Sequence, residues 1–412
     1  MIRSNKKTIY EALGREPVHP FPARMAPGIV LEFVTEAERP LRVLDPMMGS
    51  GTVLALARLK GHRAIGVDID PLAVLMSKVW TKAVDAGEVQ DKATYVLNCA
   101  REMCATLSTR DSYPKHADKE TRQFISYWYD EYARRQLTSL AHAITLVRHD
   151  ATRDVLWCAF SRLIITKQSG ASRAMDLSHS RPHRCFDRAP IKPFRKFLAA
   201  VERTVENCID RKNSKRGPAP RIHIGDARNL PLSDASVDLV LTSPPYLNAI
   251  DYMRCSKFSL VWMGYSISEL RRLRTDSVGT EASNNASRED QDIRRMMARL
   301  KLRPQLTLRD EAVLARYIDD MRHAVREVAR VLTPGGKAVY VVGENTIRGT
   351  FIRNGLIVSA VAQLSGLKLA ERRVRMLPAN RRYLPPPTRN KGSTPLNQRM
   401  RREVVLTFQR PE

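Results

Sequence analysis

No two of the six cysteines in this 412-residue chain (Cys99, Cys104, Cys158, Cys185, Cys208 and Cys255) stand as a C-x-x-C pair. Their spacing suggests neither a zinc site nor a disulfide framework, and such usage fits a reducing compartment. No run approaches the ~18 apolar residues that a membrane span needs. The basic N-terminus, Met1 to Lys7, lacks the apolar core of a signal peptide. A soluble, cytoplasmic chain with no metal and no membrane partner is therefore expected. Acidic residues are also short: 43 Asp and Glu stand against 69 Lys and Arg, a net charge of +26. That surplus implies a polyanionic partner, and the lack of an evident amphipathic membrane anchor favours nucleic acid. The length allows one large domain with insertions or two to three domains, and 43% hydrophobic residues can fill a sizeable core. No internal repeat is visible.

What is present is a rhythm of strands and helices. Leu41–Leu44 and Ala64–Val67 read as short buried strands, separated by a glycine-bearing loop and a helix over Val53–Leu59. A second helix starts near Leu72. Residues 85–218 break the rhythm with helical periodicity, as over Glu120–Arg135, followed by a basic, proline-containing stretch. This region reads as a largely helical basic insertion. Strands resume at Arg221–Ile224 and Val237–Thr242, and residues 219–264 form the second half of a core begun in 1–84. Residues 265–308 are a second insertion, polar and arginine-rich. In 309–412 come a long amphipathic helix from Asp310 to Val331, a turn at Pro334-Gly335-Gly336, a strand over Lys337–Val342, a helix near 354–365 and two strands near 368–376 and 402–409. A hairpin-like excursion, Arg381 to Pro387, lies between those last two. Such alternation predicts an α/β, doubly wound sheet. The last two strands lack an intervening helix, so they are expected to pair antiparallel at the sheet end.

The loop Asp45-Pro46-Met47-Met48-Gly49-Ser50-Gly51 follows the first strand and opens a helix. Its glycines let the backbone turn and approach a ligand. It is neither a complete G-x-G-x-x-G fingerprint nor a phosphate loop, since no Lys-Ser/Thr follows the glycines. Asp68, at the end of the second strand, suits a ribose diol; Asp70 is the alternative, or a cap for the next helix. Asp226 ends the third strand in Gly225-Asp226-Ala227 and can accept from an adenine amino group. Three acids at adjacent strand ends beside a Gly-x-Gly turn describe a nucleoside site without a phosphate anchor. S-adenosylmethionine fits that better than NAD or ATP. Each acid taken singly also reads as an ordinary cap or turn residue.

Ser243-Pro244-Pro245-Tyr246 follows the apolar run Val237–Thr242, at the carboxyl edge where open α/β sheets bind their ligands. Two prolines there stiffen the chain and leave carbonyls without ladder partners. A rigid pair of acceptors beside an aromatic ring suits the exocyclic NH2 of a flat base. A plain Pro-Pro turn is the competing reading.

With these pieces, and His19-Pro20-Phe21-Pro22-Ala23-Arg24-Met25 before the glycine loop, the chain resembles the amino-group DNA methyltransferases, which act on cytosine N4 or adenine N6. The matched core covers roughly half the chain; Met47 stands where that family usually has Phe. The resemblance implies a Rossmann-like methyltransferase sheet with two inserted segments and S-adenosylmethionine as cofactor. It implies that Asp45, Gly49 and Gly51 contact the methionine end, that Phe21 packs on the adenosine side, that Asp68 binds the ribose and that Asp226 binds the adenine amine. Ser243 and the Pro244 carbonyl would accept from the target NH2, in the rigid setting that Pro245 completes, and Tyr246 would stack on the base. The base would be flipped from double-stranded DNA. Asp251 and Tyr252 are candidates for the same pocket, a helix start being the plainer reading of Asp251. Ser at the first position of the tetrapeptide favours cytosine N4 at family level. C5 methylation is rejected, because no Cys follows a Pro as that catalytic loop requires. Adenine N6, RNA guanine N2 and a non-catalytic nucleic-acid-binding subunit are the other readings. Arg181, His183, Arg184, Lys196, Arg271, Arg272 and Arg274 in the insertions are candidate DNA contacts. No nuclease motif is evident, so a restriction endonuclease partner would be a separate chain.

Overall fold

The computed structural model describes residues 8–21, 24–179, 182–211, 217–247, 251–280, 290–299, 306–347, 350–377 and 402–412. Its centre is a seven-stranded sheet: β1 (Arg42–Asp45), β2 (Arg63–Asp68), β3 (Arg221–Ile224), β4 (Val237–Thr242), β5 (Leu332–Gly343), β6 (Lys368–Met376) and β7 (Arg402–Gln409). The spatial order is β6-β7-β5-β4-β1-β2-β3. The neighbours β3, β2, β1, β4 and β5 all run parallel. Val43, Leu44, Val67, Val240, Leu241, Val339, Val341 and Val342 are almost completely buried, as strands covered on both faces require.

β1 and β4 are neighbours whose onward connections leave in opposite directions. A crevice therefore opens at their carboxyl ends, the place where doubly wound sheets take ligands. The antiparallel pair is present, and its geometry is more specific than the sequence indicated. β7 runs antiparallel to both β5 and β6 and lies between them, so the antiparallel strand is one place in from the edge. The edge itself is β6, which carries Lys368, Arg372, Arg373 and Arg375; charge of this kind discourages pairing with another sheet. The Arg381–Pro387 excursion lies outside the described residues.

The Pro334-Gly335-Gly336 turn sits within β5 as an irregularity: Val237 pairs with Leu332, but Leu239 pairs with Lys337. Gly335 takes φ +72° there, a left-handed conformation that glycine adopts without strain.

The region 85–218 carries helices Ala86–Thr106, Lys119–Trp128, Glu131–Thr145, Asp150–Ile164 and Pro193–Val205. The helical periodicity over Glu120–Arg135 belongs to two helices, separated where the Asp130 side chain caps the second by accepting from Ala133 N. Chain entry and exit are joined, since Ala83–Val84 pairs in parallel with Ile209–Asp210. Tyr129, wholly buried, donates its hydroxyl to the Phe258 carbonyl at 2.6 Å, and Trp128 meets the Phe258 ring edge-on at 4.9 Å. The helical region thereby packs on helix Met253–Leu260, immediately downstream of the Ser-Pro-Pro-Tyr segment. The second inserted region contributes helices Ile267–Asp276 and Gln291–Arg299. Among the described residues, no helix is long and apolar enough to cross a membrane.

Candidate active site

The crevice is bounded by acids that the strands deliver. Asp45 ends β1, almost wholly buried; its Oδ1 accepts from the Thr242 hydroxyl at 2.9 Å and from Met47 N at 3.2 Å. Burial pushes its carboxyl up to about 7, against the pull of the Thr242 bond, with the Asp68 charge adding to the rise. Asp68 ends β2. Its Oδ2 accepts from Gly49 N at 2.8 Å and its Oδ1 from Asp70 N at 2.9 Å, yet burial and the neighbouring Asp70 push it too up to about 7.

Asp70 is a cap, the alternative role that its position before a helix suggested. Its Oδ1 accepts from Leu72 N at 2.9 Å, and Oδ2 accepts from the Ser256 hydroxyl at 2.6 Å. Burial raises its carboxyl despite those bonds.

The glycine loop is close-packed from both sides. Gly49 has φ +50°, and a Cβ there would stand 3.1 Å from the Phe21 ring. Gly51 has φ +82°, and its Cβ would meet Ser77 Oγ at 2.7 Å. Ser77 in turn donates to the Gly49 carbonyl at 2.9 Å. Beneath, Gly66 leaves the space that Met48 fills, for a Cβ there would stand 2.3 Å from its sulfur.

The N-terminal motif is fixed to this loop. Arg24 donates to Ser50 Oγ at 3.2 Å and to the His19 carbonyl at 2.6 Å. His19 is buried, with Nδ1 2.7 Å from the Pro20 carbonyl and Nε2 2.8 Å from Ser161 Oγ. Burial first, and the Arg162 charge second, depress it to about 3. The ring is therefore neutral; Nδ1–H donates to the carbonyl and Nε2 accepts the serine proton. Pro22 and Ala23 lie outside the described residues.

Asp226 follows β3, anchored by Gly225 N donating to the Asp68 carbonyl at 3.0 Å. It faces Arg228, whose Nη2 stands 2.6 Å from Oδ2. That guanidinium also reaches Asp320 Oδ1 at 2.5 Å. Burial works against its charge, but Asp226 and Asp320 outweigh burial and raise its pKa.

Ser243, Pro244, Pro245 and Tyr246 follow β4, with Pro244 and Leu247 buried. Ser243 Oγ lies 3.4 Å from Tyr246 Oη, so both hydroxyls face one space. Tyr252 stacks on Phe21, with centroids 5.1 Å apart and planes 9° from parallel. Asp251 precedes the helix and holds Arg274 at 2.6 Å and Arg254 at 3.1 Å. Several proposed DNA contacts are likewise engaged within the protein. Arg274 pairs with Asp251, and Arg271 with Glu120. Arg184 lies over the exposed Tyr127 ring, 4.8 Å from its centroid. Lys196 and Arg272 are exposed, His183 stands 3.9 Å from Asp176, and Arg181 lies outside the described residues.

Sequence reasoning overlooked Ser77, Arg228 and Ser256 as supports. Arg228 directly follows the Gly225-Asp226-Ala227 string and was legible as a cation beside an acid; Ser77 and Ser256 carried no signal.

The donor set fits S-adenosylmethionine. The crevice gathers buried carboxylates, Asp45 and Asp68, whose pKa values burial raises despite the hydrogen bonds they accept, so a ligand that brings positive charge or further donors is favoured there. A sulfonium and an ammonium bring positive charge, and a ribose diol brings donors. A phosphate-bearing cofactor would meet Asp45, Asp68 and Asp226 with repulsion.

No family model matches the chain. It is 24% identical over 363 residues to the Type II methyltransferase M.MvaI of Kocuria varians, covering 83% of this chain and 79% of that protein. It is 23% identical over 265 residues to the Type II methyltransferase M.BsoBI of Geobacillus stearothermophilus, covering 59% of this chain and 51% of that protein. Among solved structures, an S-adenosylmethionine-dependent methyltransferase of Methanosarcina mazei is 10% identical, with a TM-score of 0.32 over 92% of this chain and 97% of that one. Its motifs stand in this order along the sheet, and in sequence the chain is similar to Type II methyltransferases over most of its length.

Proposed function

We propose that this DNA methyltransferase acts on the N4 amino group of cytosine. The observation that carries the reading is the convergence of Ser243 Oγ and Tyr246 Oη, 3.4 Å apart, at the end of β4 beside the cofactor crevice. At family level, serine at the head of the tetrapeptide favours cytosine N4, where adenine enzymes more often carry Asp or Asn.

Asp45, Gly49 and Gly51 hold the methionine end of the cofactor, Phe21 flanks the adenosine, Asp68 takes the ribose hydroxyls and Asp226 the adenine amine. When bound, S-adenosylmethionine supplies an electrophilic methyl group on a sulfonium. The protein's part is placement. An exocyclic amine is a weak nucleophile because its lone pair is delocalised into the ring. Ser243 and the Pro244 carbonyl, made rigid by Pro245, accept its two N–H bonds and favour a pyramidal nitrogen. Fixed acceptors of this kind need no reorganisation as charge develops. Tyr246 stacks on the extruded base and returns part of the few kcal/mol spent on unstacking it, and its π face suits the developing positive charge.

The DNA lies against the first inserted region. The segment 182–196 carries Arg184, Arg188, Lys192, Arg195 and Lys196 against Asp187 alone. It crosses the junction of two helices, where Ala189 N donates to Asp130 at 2.6 Å. There Arg184 covers Tyr127 and Lys192 covers Tyr132, both rings more than half exposed. Cations already stacked on aromatic rings lose little freedom on meeting a phosphate. The Type II names of the relatives make a separate restriction endonuclease chain the natural partner in the cell.

The test is transfer of labelled methyl groups to unmethylated genomic DNA, with total RNA in parallel, followed by digestion to nucleosides and mass identification. N4-methylcytosine in DNA is expected. N6-methyladenine would overturn the base assignment and keep the site; label confined to RNA would overturn both.

A further inference from the structure

Arg228 joins three segments of the chain. Its backbone N donates to Asp226 Oδ1 at 2.8 Å, its Nε lies 3.0 Å from each carboxylate oxygen, and its Nη2 donates to Oδ2 at 2.6 Å. Nη1 reaches Asp320 on helix Leu308–Val331. Nη2 also donates to the carbonyl of Asp276 at 2.5 Å, and Asp276 is the last residue of helix Ile267–Asp276 in the second inserted region. The same helix end is held by Arg316, which donates to the Thr275 carbonyl at 2.8 Å and whose Nε lies 3.7 Å from Asp320.

Beyond Asp276 the chain passes directly over the base-binding segment. Gly279 has φ +79°, and a Cβ there would lie 3.5 Å from the Tyr246 carbonyl oxygen, 3.7 Å from Pro245 Cβ and 3.7 Å from the Tyr317 ring. One guanidinium therefore grips both the carboxylate assigned to the adenine and the peptide that covers Pro245 and Tyr246. The three donors of Arg228 place two contacts on each Asp226 oxygen, with Nε–H shared between them; the side chain is 30% exposed, so an incoming amine can reach it and take over part of that shared acceptor capacity.

We propose that Arg228 is a positioning residue that couples cofactor occupancy to the seating of residues 276–279 over Pro245 and Tyr246. The proposal rests on reading Asp226 as the adenine acceptor. An amine that bonds this carboxylate fixes its plane. A guanidinium is a rigid planar fork, so fixing one end fixes where the other meets the Asp276 carbonyl. The cofactor site and the cover of the base pocket then share one element. By linkage, contacts that DNA makes to 276–279 tighten cofactor binding by the same factor.

The experiment is hydrogen exchange over residues 270–280, with and without saturating S-adenosylmethionine, beside calorimetric titration of the cofactor. In the wild type the cofactor should slow exchange in this segment. R228M should bind the cofactor about tenfold more weakly and, at saturation, should lose that protection while helix Thr52–Leu59 keeps its own. R228K, which retains charge without the fork, should fall between the two; it decides the matter if R228M does not fold. Equal protection of 270–280 in the variant and the wild type, or no protection in the wild type, would overturn the coupling. Cofactor affinity unchanged in D226N would instead overturn the reading of Asp226, independently of what Arg228 does.

Discussion

Asp45 Oδ1 accepts the Thr242 hydroxyl at 2.9 Å, so the acid that ends β1 and the residue before Ser243 share one hydrogen bond across the crevice. The bond ties the cofactor half of the site to the base half, and it is one of the forces holding the Asp45 pKa down against burial. T242V keeps the shape and removes the bond. Asp45 should then titrate higher, and cofactor affinity at pH 7 should drop by up to about tenfold, the worth of a hydrogen bond to a charged group. Titration calorimetry at pH 7.0 and pH 8.5 checks this: the deficit should shrink at the higher pH, where Asp45 ionises in both proteins. An equal deficit at both pH values would contradict it.

Asp45 and Asp68 both titrate near 7 in the fold, against an ordinary value of 3.8. Between those values the folded chain holds protons that the unfolded chain has released. Stability from this pair should therefore fall as pH rises from about 4 to about 7 and level off above, at up to about 1.4 kcal/mol per pKa unit shifted. The two acids repel each other, so the protons leave as from a pair. A cationic cofactor favours the ionised acids. Its thermal stabilisation of the protein should be larger at pH 8 than at pH 6, and melting curves at the two pH values would refute this by showing equal shifts.

Gly51 is required for two reasons that a double mutant separates. G51A places a methyl 2.7 Å from Ser77 Oγ and forces φ +82° on alanine. The expected loss is about 1–3 kcal/mol from the backbone alone, with the clash in addition. S77A in the G51A background should recover the Oγ part of the clash and leave the backbone strain together with the tight 3.0 Å approach to the residue 77 Cβ. Urea denaturation of the four proteins gives the cycle; strict additivity of the two substitutions would show that the side chains do not meet.

If Arg184 and Lys192 bind DNA phosphates, their joint removal should lower the steepness of log K against log salt by about two units, roughly 0.9 for each phosphate no longer neutralised. Cofactor affinity should not change, because neither residue touches the crevice. An unchanged salt slope, measured by fluorescence anisotropy on a duplex, would remove DNA from this face.

Much of the sheet could be read from sequence because buried parallel strands write continuous apolar runs. Val237–Thr242 and Lys337–Val342 stand out for that reason, and the glycine loop and the Pro-Pro pair mark the ends that matter. The helix break at Tyr129-Asp130 was hidden. Helical periodicity continues through it, and only the Asp130 cap and the burial of Tyr129 against Phe258 show where one helix stops. The roles of Asp251 and Tyr252 were ambiguous for a similar reason: a residue just past a loop can face the site or the helix. Tertiary contact sent Tyr252 to Phe21 and Asp251 to Arg274.

The sequence alone determined the strand–helix alternation, the acids at strand ends, the place of the Ser-Pro-Pro-Tyr segment after a buried strand and the surplus of positive charge, because each depends on residue type and short spacing. The tertiary structure decided that β7 lies between β5 and β6, that Phe21 closes on Gly49 and Tyr252, and that Arg228 joins Asp226 to Asp276. These contacts link residues from 26 to more than 200 positions apart, Arg228 with Asp226 excepted. Local propensity cannot encode such pairings; they follow from which surfaces meet once the sheet has formed.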